Sequence, residues 1–329
     1  MRCRSKALAI APITGSAKRS GRFALPNGAY SGILIAMVAI FVALVAWYVI
    51  SIVVQSKPAF STLGFSWIIQ KTWDPGHNKF GLLPFILGTV ETTAIALVLA
   101  VPIGLGTAIA LAHLVPDRVR PALSTAVELL AAVPSVVYGL WGLIVLAPLF
   151  REHVEPFLTS ILGWTGLFNG PDNGVGLLLA GVILFVMVLP TMVAISRDVL
   201  AVVPREQVEG AMALGATRWQ VLRKVVVPGA RTGILGGFTL AMGRALGETV
   251  AVALVIGNSP FIAHSIKAPA ATLASLIVNN FGEASGTELS ALFGAGLVLL
   301  LIGIAVNGMA RALVHSTARA GGAASVAVA

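Results

Sequence analysis

Residues 204–228 read PREQVEGAMALGATRWQVLRKVVVP, and the rest of the chain is best read outward from this stretch. Pro204 and Arg205 open a short helix that can run to Leu214, where Gly215 supplies a left-handed stop. Thr217 begins a second helix, with Gln220 three residues on to complete a capping box, and Pro228 ends it. The spacing thus predicts helix, glycine turn, helix. Gly210 and Ala211 leave its surface flat enough for another protein to approach closely.

On either side the chain is strongly apolar. Of 329 residues 57% are hydrophobic and 11% charged, with a mean hydropathy of +0.93. A soluble domain carries about 25% charged residues, so this chain lacks the polar surface to stay dissolved. A bilayer core of about 30 Å takes roughly 20 apolar residues of helix. Candidate spans run over 29–54, 84–113, 122–150, 176–196, 233–258 and 289–313. The first is too long for a signal-peptide core and no small-residue cleavage site follows it, so it reads as a retained anchor.

The net charge of +9 could suggest nucleic acid, but the placement of the charges argues otherwise. Sixteen of the 22 basic residues fall on one side of these spans. They lie in the N-terminal tail (Arg2 to Arg22), beside Arg118 and Arg120, in the 197–231 segment and at Arg311 and Arg319. The opposite side has Lys57, Lys71, Lys79, Arg151 and Lys267. Basic residues favour the cytoplasmic face, so both termini and the 204–228 loop are expected there, and the basic pI is topology rather than nucleic-acid binding.

The expected layout is a basic tail over 1–28, a first helix over 29–54, a periplasmic loop over 55–83, a core over 84–313 and a tail over 314–329. The stretch after Ala318 is small and featureless and reads as disordered. The outer loops carry Trp67, Trp73 and Trp164, which suits either interface anchoring or docking of an outside partner. Glycine is concentrated in the spans, as in GILGG at 233–237, where small residues let helices approach in lipid. The single cysteine, Cys3, can form neither an internal disulfide nor a CxxC pair, and reads as a free thiol. His77, His113, His153, His264 and His315 are scattered and do not suggest a metal cluster.

The order Glu209-Gly210-Ala211, Gly215, Val225, Val227-Pro228 resembles the coupling-loop motif of ABC importer permeases: EAA, three residues, G, nine residues, I-x-L-P. Glycine replaces the first alanine, and valines replace isoleucine and leucine. The resemblance narrows with FGLLPFILGT (80–89), ELLAAVPSVVYGLWG (128–142), ALGATRWQVLRKVVVP (213–228) and GRALGETVAVALVIGN (243–258). Together these are similar to the first permease subunit of phosphate-specific importers, the PstC type. The resemblance implies an all-α fold with a five-helix importer core, spans two to six, and an extra N-terminal span. It also implies an ATPase dimer docked on Glu209, Gly210, Ala211, Gly215 and Pro228, a second permease of the PstA type, a periplasmic phosphate-binding protein, and ATP consumed by the partner alone.

One basic residue, Arg244, falls inside the fifth span, with Glu248 four residues on. Each would cost about 2.5–3.5 kcal/mol at a helix centre. On one helix face they can pair, either neutralising each other at a helix interface or facing the translocation route. A guanidinium offers two-pronged donors to an oxyanion. Glu248 can restrain the arginine and accept the proton that phosphate carries and sulfate lacks. Ser135 and Tyr138, beside Pro134, can donate to an anion or make helix-packing hydrogen bonds. Glu91 and Glu128 lie near span ends and can reach the interface or take part in gating.

Other classes fit less well. A membrane enzyme would need a nucleophile with a base, a metal cluster or paired acids, yet the chain has no HExxH, no GxSxG and no acidic cluster. It also lacks GxxxxGK[ST], so energy must come from another subunit. A passive channel or scaffold needs no ATPase-docking loop. Among transporters, a permease for sulfate or molybdate is the alternative.

Overall fold

The computed structural model describes the backbone of residues 27–326 and the side chains of 30–312. Cys3 and the basic residues of the N-terminal tail lie outside the described residues, as do the side chains of His315 and Arg319. The chain divides into Met1–Ser51 and Ile52–Ala329. In the first unit, helix α1 (Asn27–Leu63) begins and carries no charge through residue 51, so nothing in it opposes burial in lipid.

The second unit starts with the remainder of α1, which extends nine residues past the expected end at 54. Pro58 sits inside it, and the Thr62 hydroxyl donates to the Pro58 carbonyl at 2.8 Å. Next comes a two-residue hairpin, β1 (Trp73–Asp74) on β2 (Lys79–Phe80), turned by Asn78 in the left-handed region. Trp73 packs edge-on against Phe80 and Phe85. Apart from this hairpin and an isolated bridge between Gly257 and Ala270, the described residues are helix, turn and loop.

Helix α2 (Leu83–Ile109) starts with Pro84 in its first turn, where the missing N–H costs nothing, and widens into a π-turn over Ala110–Leu114. Helix α3 (Arg120–Ala132) stops before Pro134, and α4 (Ser135–Trp141) restarts at Ser135. Through π-turns and α5 (Ala147–Leu149) this run continues into α6 (Glu155–Leu162). Helix α7 (Leu177–Ala201) follows, then α8 (Arg205–Ala213) and α9 (Arg218–Val221). A π-turn joins α9 to α10 (Val227–Gly247), and α11 (Val250–Val255), α12 (Leu273–Asn280) and α13 (Gly286–Val326) complete the chain.

Among the described residues six helical runs are long and apolar enough to cross a membrane: 30–63, 83–114, 135–165, 177–201, 218–247 and 286–312. Besides the longer first helix, the third and fifth are shifted from the expected spans. The third begins at Ser135 rather than 122, because Pro134 excludes a continuous helix, and it fills much of the expected outer loop over 151–175. The fifth spans 218–247 rather than 233–258, because the helix ends at Gly247. The C-terminal stretch also departs from expectation, since α13 runs to Val326 across residues read as disordered.

Helix α7 is the most buried of the six and forms the axis of the core. Small residues let its neighbours close on it. A Cβ at Gly181 would overlap Ile95 of α2, and one at Gly233 of α10 would overlap Val199. Gly233 and Gly237, four apart, place the backbone of α10 directly against α7, where packing substitutes for the hydrophobic drive.

Candidate translocation site and coupling surface

The two departures from continuous helix carry the candidate pathway. Backbone that leaves the helix at membrane depth is tolerated only where protein or a cavity satisfies it. At the first break, Val133 and Pro134 are extended, and the Tyr138 hydroxyl donates to the Leu130 carbonyl at 2.7 Å, tying α4 back to the end of α3. Of the two roles open to Tyr138, the structure shows the packing bond. Ser135 is half-buried at the first position of α4.

At the second break, α10 ends at Gly247, Glu248 takes an extended ψ of 130°, and α11 restarts at Val250. Arg244 therefore lies in the last turn of α10, while Glu248 lies beyond it. The expected i,i+4 pair is not made: among the described residues no Arg244–Glu248 ion pair forms. Without that bond Glu248 does not hold the arginine in this structure. Arg244 is instead exposed on this chain and within electrostatic reach of Tyr138. Glu248 is half-buried.

The breaks are brought together by α4 and α11. A Cβ at Gly139 would lie 2.7 Å from Leu254 and 3.0 Å from the Ala251 Cα, so only glycine lets these half-helices touch. Asn258 donates to the Ala253 carbonyl at 2.8 Å and closes the far end of α11. Tyr138, within electrostatic reach of Arg244, thus sits on the half-helix that begins at the first break, while Arg244 sits in the last turn before the second.

The 204–228 segment folds largely as its spacing predicts. Pro204 precedes α8, Gly215 has φ of +86°, and its N–H donates to the Met212 carbonyl at 2.9 Å. Thr217 and Gln220 form the reciprocal capping box, with bonds of 3.3 and 2.9 Å. Pro228 does not end the helix. The π-turn over Leu222–Val226 widens the helix just before the proline and lets it continue into α10.

Val208 and Ala211 pack inward on a core of Leu200, Val221, Leu222 and Val226. Glu209 and Gly210 face outward, and the Gly210 Cβ position is open space. Leu214 is 92% and Trp219 68% exposed. The turn after α8 and the start of α9 thus bare two large apolar side chains near an open glycine.

Two clusters escaped the sequence reading. Arg197 of α7 bonds Glu128 of α3 at 3.3 Å and Asp198 at 3.0 Å, so Glu128 reaches across to a neighbouring helix. Lys267 is 1% exposed and donates to Thr159 at 2.8 Å, the Gly170 carbonyl at 3.1 Å and Asp172 at 2.6 Å. Beside it, buried Glu155 accepts from the Gly174 N–H at 3.1 Å. These partners lie up to 108 residues apart, a distance over which no local pattern signals a pair. Glu91 lines a cavity of about 290 Å³ with His264 and Leu167.

The family described as "Binding-protein-dependent transport system inner membrane component" matches residues 100–319, which contain both breaks and the coupling segment. A phosphate transport system permease protein PstC of Pasteurella multocida is 44% identical over 84% of this chain and 88% of its own length. This chain belongs to the PstC permease family. The PstC of Mesorhizobium japonicum is 44% identical over 88% of this chain and 90% of its own length. A probable PstC of the more distant Methanocaldococcus jannaschii is 38% identical over 82% and 86%.

Solved importers show the same fold at low identity. A bacterial alginate ABC transporter chain superposes with a TM-score of 0.59, at 15% identity, over 85% of this chain and 93% of that one. A chain of the MetNI methionine ABC transporter, in an inward-facing form, gives 0.53 at 18% identity over 75% and 99%. The PstC-family chain therefore has the importer permease fold, and residues 202–217 join its fourth and fifth long apolar helices.

Proposed function

We propose that this chain is one membrane-spanning subunit of an ATP-driven importer that carries inorganic phosphate across the bacterial inner membrane. In this reading an external binding protein delivers the anion, and a PstA-type permease completes the pathway. An ATPase dimer grips α8 through Glu209, Gly210, Ala211 and the turn at Gly215, with Pro228 at the foot of α10. The excess of basic residues on the 204–228 side supports cytoplasmic termini, since lysine and arginine bias sets orientation.

The observation that carries the reading is an exposed arginine in the last turn of α10, within electrostatic reach of Tyr138 on α4, in a chain 44% identical to proteins named as phosphate transport permeases. An exposed Arg244 can present its planar fork to two phosphate oxygens. Ser135 adds a hydroxyl donor, and Tyr138 positions α4. Glu248, just past the end of α10, accepts the proton of a phosphate hydroxyl, which sulfate cannot offer. Discrimination against the unprotonated oxyanion follows from leaving two negative groups face to face.

The test is Arg244→Gln in the complete transporter reconstituted with its binding protein. Charge-assisted hydrogen bonds contribute about 1.5–3 kcal/mol each, so loss of the fork should slow phosphate uptake at least about tenfold while assembly survives. Uptake at the unmodified rate would remove Arg244 from the pathway. Glu248→Gln should relax exclusion of sulfate; unchanged selectivity would remove the proton-sensing role.

A further inference from the structure

Where the coupling segment meets the fifth span, an open groove of about 580 Å³ is lined by Gln207 of α8, Lys224 of the π-turn, and Pro228, Gly229, Arg231 and Thr232 of α10. Gly229 has no side chain, and a Cβ there would rest in ordinary contact with Val203 at 3.8 Å. Two cations, an amide and a hydroxyl from two helices thus share one recess. A carboxylate, with two oxygens in one plane, uses few of these donors. A tetrahedral phosphate group presents oxygens in several directions and so suits donors that come from more than one element.

The position of the groove sharpens this. Arg231 is the last charge before residues 232–243, which carry none. The groove therefore lies at the boundary between apolar helix and basic loop, the level at which lipid headgroups sit. On its other side, Gln207 belongs to the helix that docks the ATPase. Whatever fills the groove touches both the coupling helix and the helix that carries Arg244.

We infer that this groove binds a phosphate group and that the ligand ties α8 to the start of α10. The same chemistry is offered by the headgroup of an anionic phospholipid and by free inorganic phosphate. Either would stiffen the junction through which ATPase closure reaches the spans, so occupancy adjusts coupling rather than the pathway itself. The inference goes beyond the transport reading and holds whichever anion crosses the membrane.

The experiment uses the complete transporter in detergent. Native mass spectrometry measures retention of phosphatidylglycerol against phosphatidylcholine, and equilibrium binding measures radiolabelled phosphate, each for the unmodified protein and for Lys224→Gln/Arg231→Gln. Removing two interfacial cations should weaken the true ligand by roughly thirtyfold. Lys224→Arg/Arg231→Lys, which keeps both charges, should restore most of the affinity and controls for misfolding. Weakening confined to phosphatidylglycerol assigns a lipid, and weakening confined to phosphate assigns the free anion. If neither ligand depends on these two residues, the inference is overturned. Phosphate bound at Arg244 would persist in this variant, so the failure of one site is distinguishable from the failure of the other.

Discussion

Replacing Lys267 by methionine keeps an unbranched stem in the same space and removes only the ammonium. That group is 1% exposed and holds three acceptors, of which the Asp172 carboxylate is 36% exposed. Breaking a wholly buried pair costs about 3–5 kcal/mol, and an exposed pair contributes about 0–1 kcal/mol. Asp172 and the exposed Gly170 carbonyl can rehydrate, and Thr159 keeps its bond to the Glu155 carbonyl at 2.8 Å. The expected loss is therefore intermediate, about 2 kcal/mol, felt locally because Lys267 ties the 167–174 segment to the 265–268 segment. An opening free energy lowered by that amount speeds amide exchange roughly thirtyfold.

Hydrogen exchange on the complete transporter reads this directly. The Ile266 amide, bonded to the Leu167 carbonyl at 2.9 Å, and the Gly174 amide on Glu155 should exchange faster. Amides in the middle of α7 should not change. Asp172→Asn combined with Lys267→Met should cost less than the two single changes added, because each removes the same interaction. Exchange within twofold of the unmodified protein at both amides would refute the reasoning, as would a uniform acceleration that includes α7.

Gly88→Ala should destabilise the protein by about 1–3 kcal/mol, toward the upper figure, since the new Cβ overlaps the Ala271 carbonyl, a backbone atom with no rotamer to escape into. It should also strain the neighbouring bond from the Leu273 N–H to Thr89, 3.0 Å, whereas Gly106→Ala, inside the same helix with open space around it, should not destabilise the protein. In the hairpin, His77 donates to Asp74 at 2.6 Å, and this bond holds the Asp74 carboxyl below its usual range. A carboxyl depressed in the folded state contributes stability above its unfolded pKa of about 3.9, and that contribution is lost as pH falls through the lower folded value. A carbon-13 titration of the Asp74 carboxyl should place its midpoint below the ordinary value and return it upward in His77→Asn; an ordinary midpoint in the unmodified protein would count against the pair.

Much of this protein was legible locally. Gly215 and the Thr217–Gln220 box act within one turn of backbone, so their spacing alone specified the bend and the cap. Pro134 was visible as a breaker, yet hydropathy carried the expected third span straight through it, because an unwound stretch between apolar residues remains apolar. The stop at Gly247 was hidden for the same reason, and with it the separation of Arg244 from Glu248. Pro228 misled in the opposite direction, since a π-turn absorbs a proline that single-residue propensity treats as an end.

By itself, then, the sequence determined that the chain is a multi-pass membrane protein and where the helix–turn–helix segment around Gly215 bends. These follow from composition and from interactions a few residues long. Only the tertiary structure decided where helices break, that α4 and α11 meet through Gly139 to gather the two breaks, and that Lys267 finds Asp172 from 95 residues away. Such choices depend on which backbone groups a distant neighbour can satisfy, and that is a property of packing in three dimensions rather than of order along the chain.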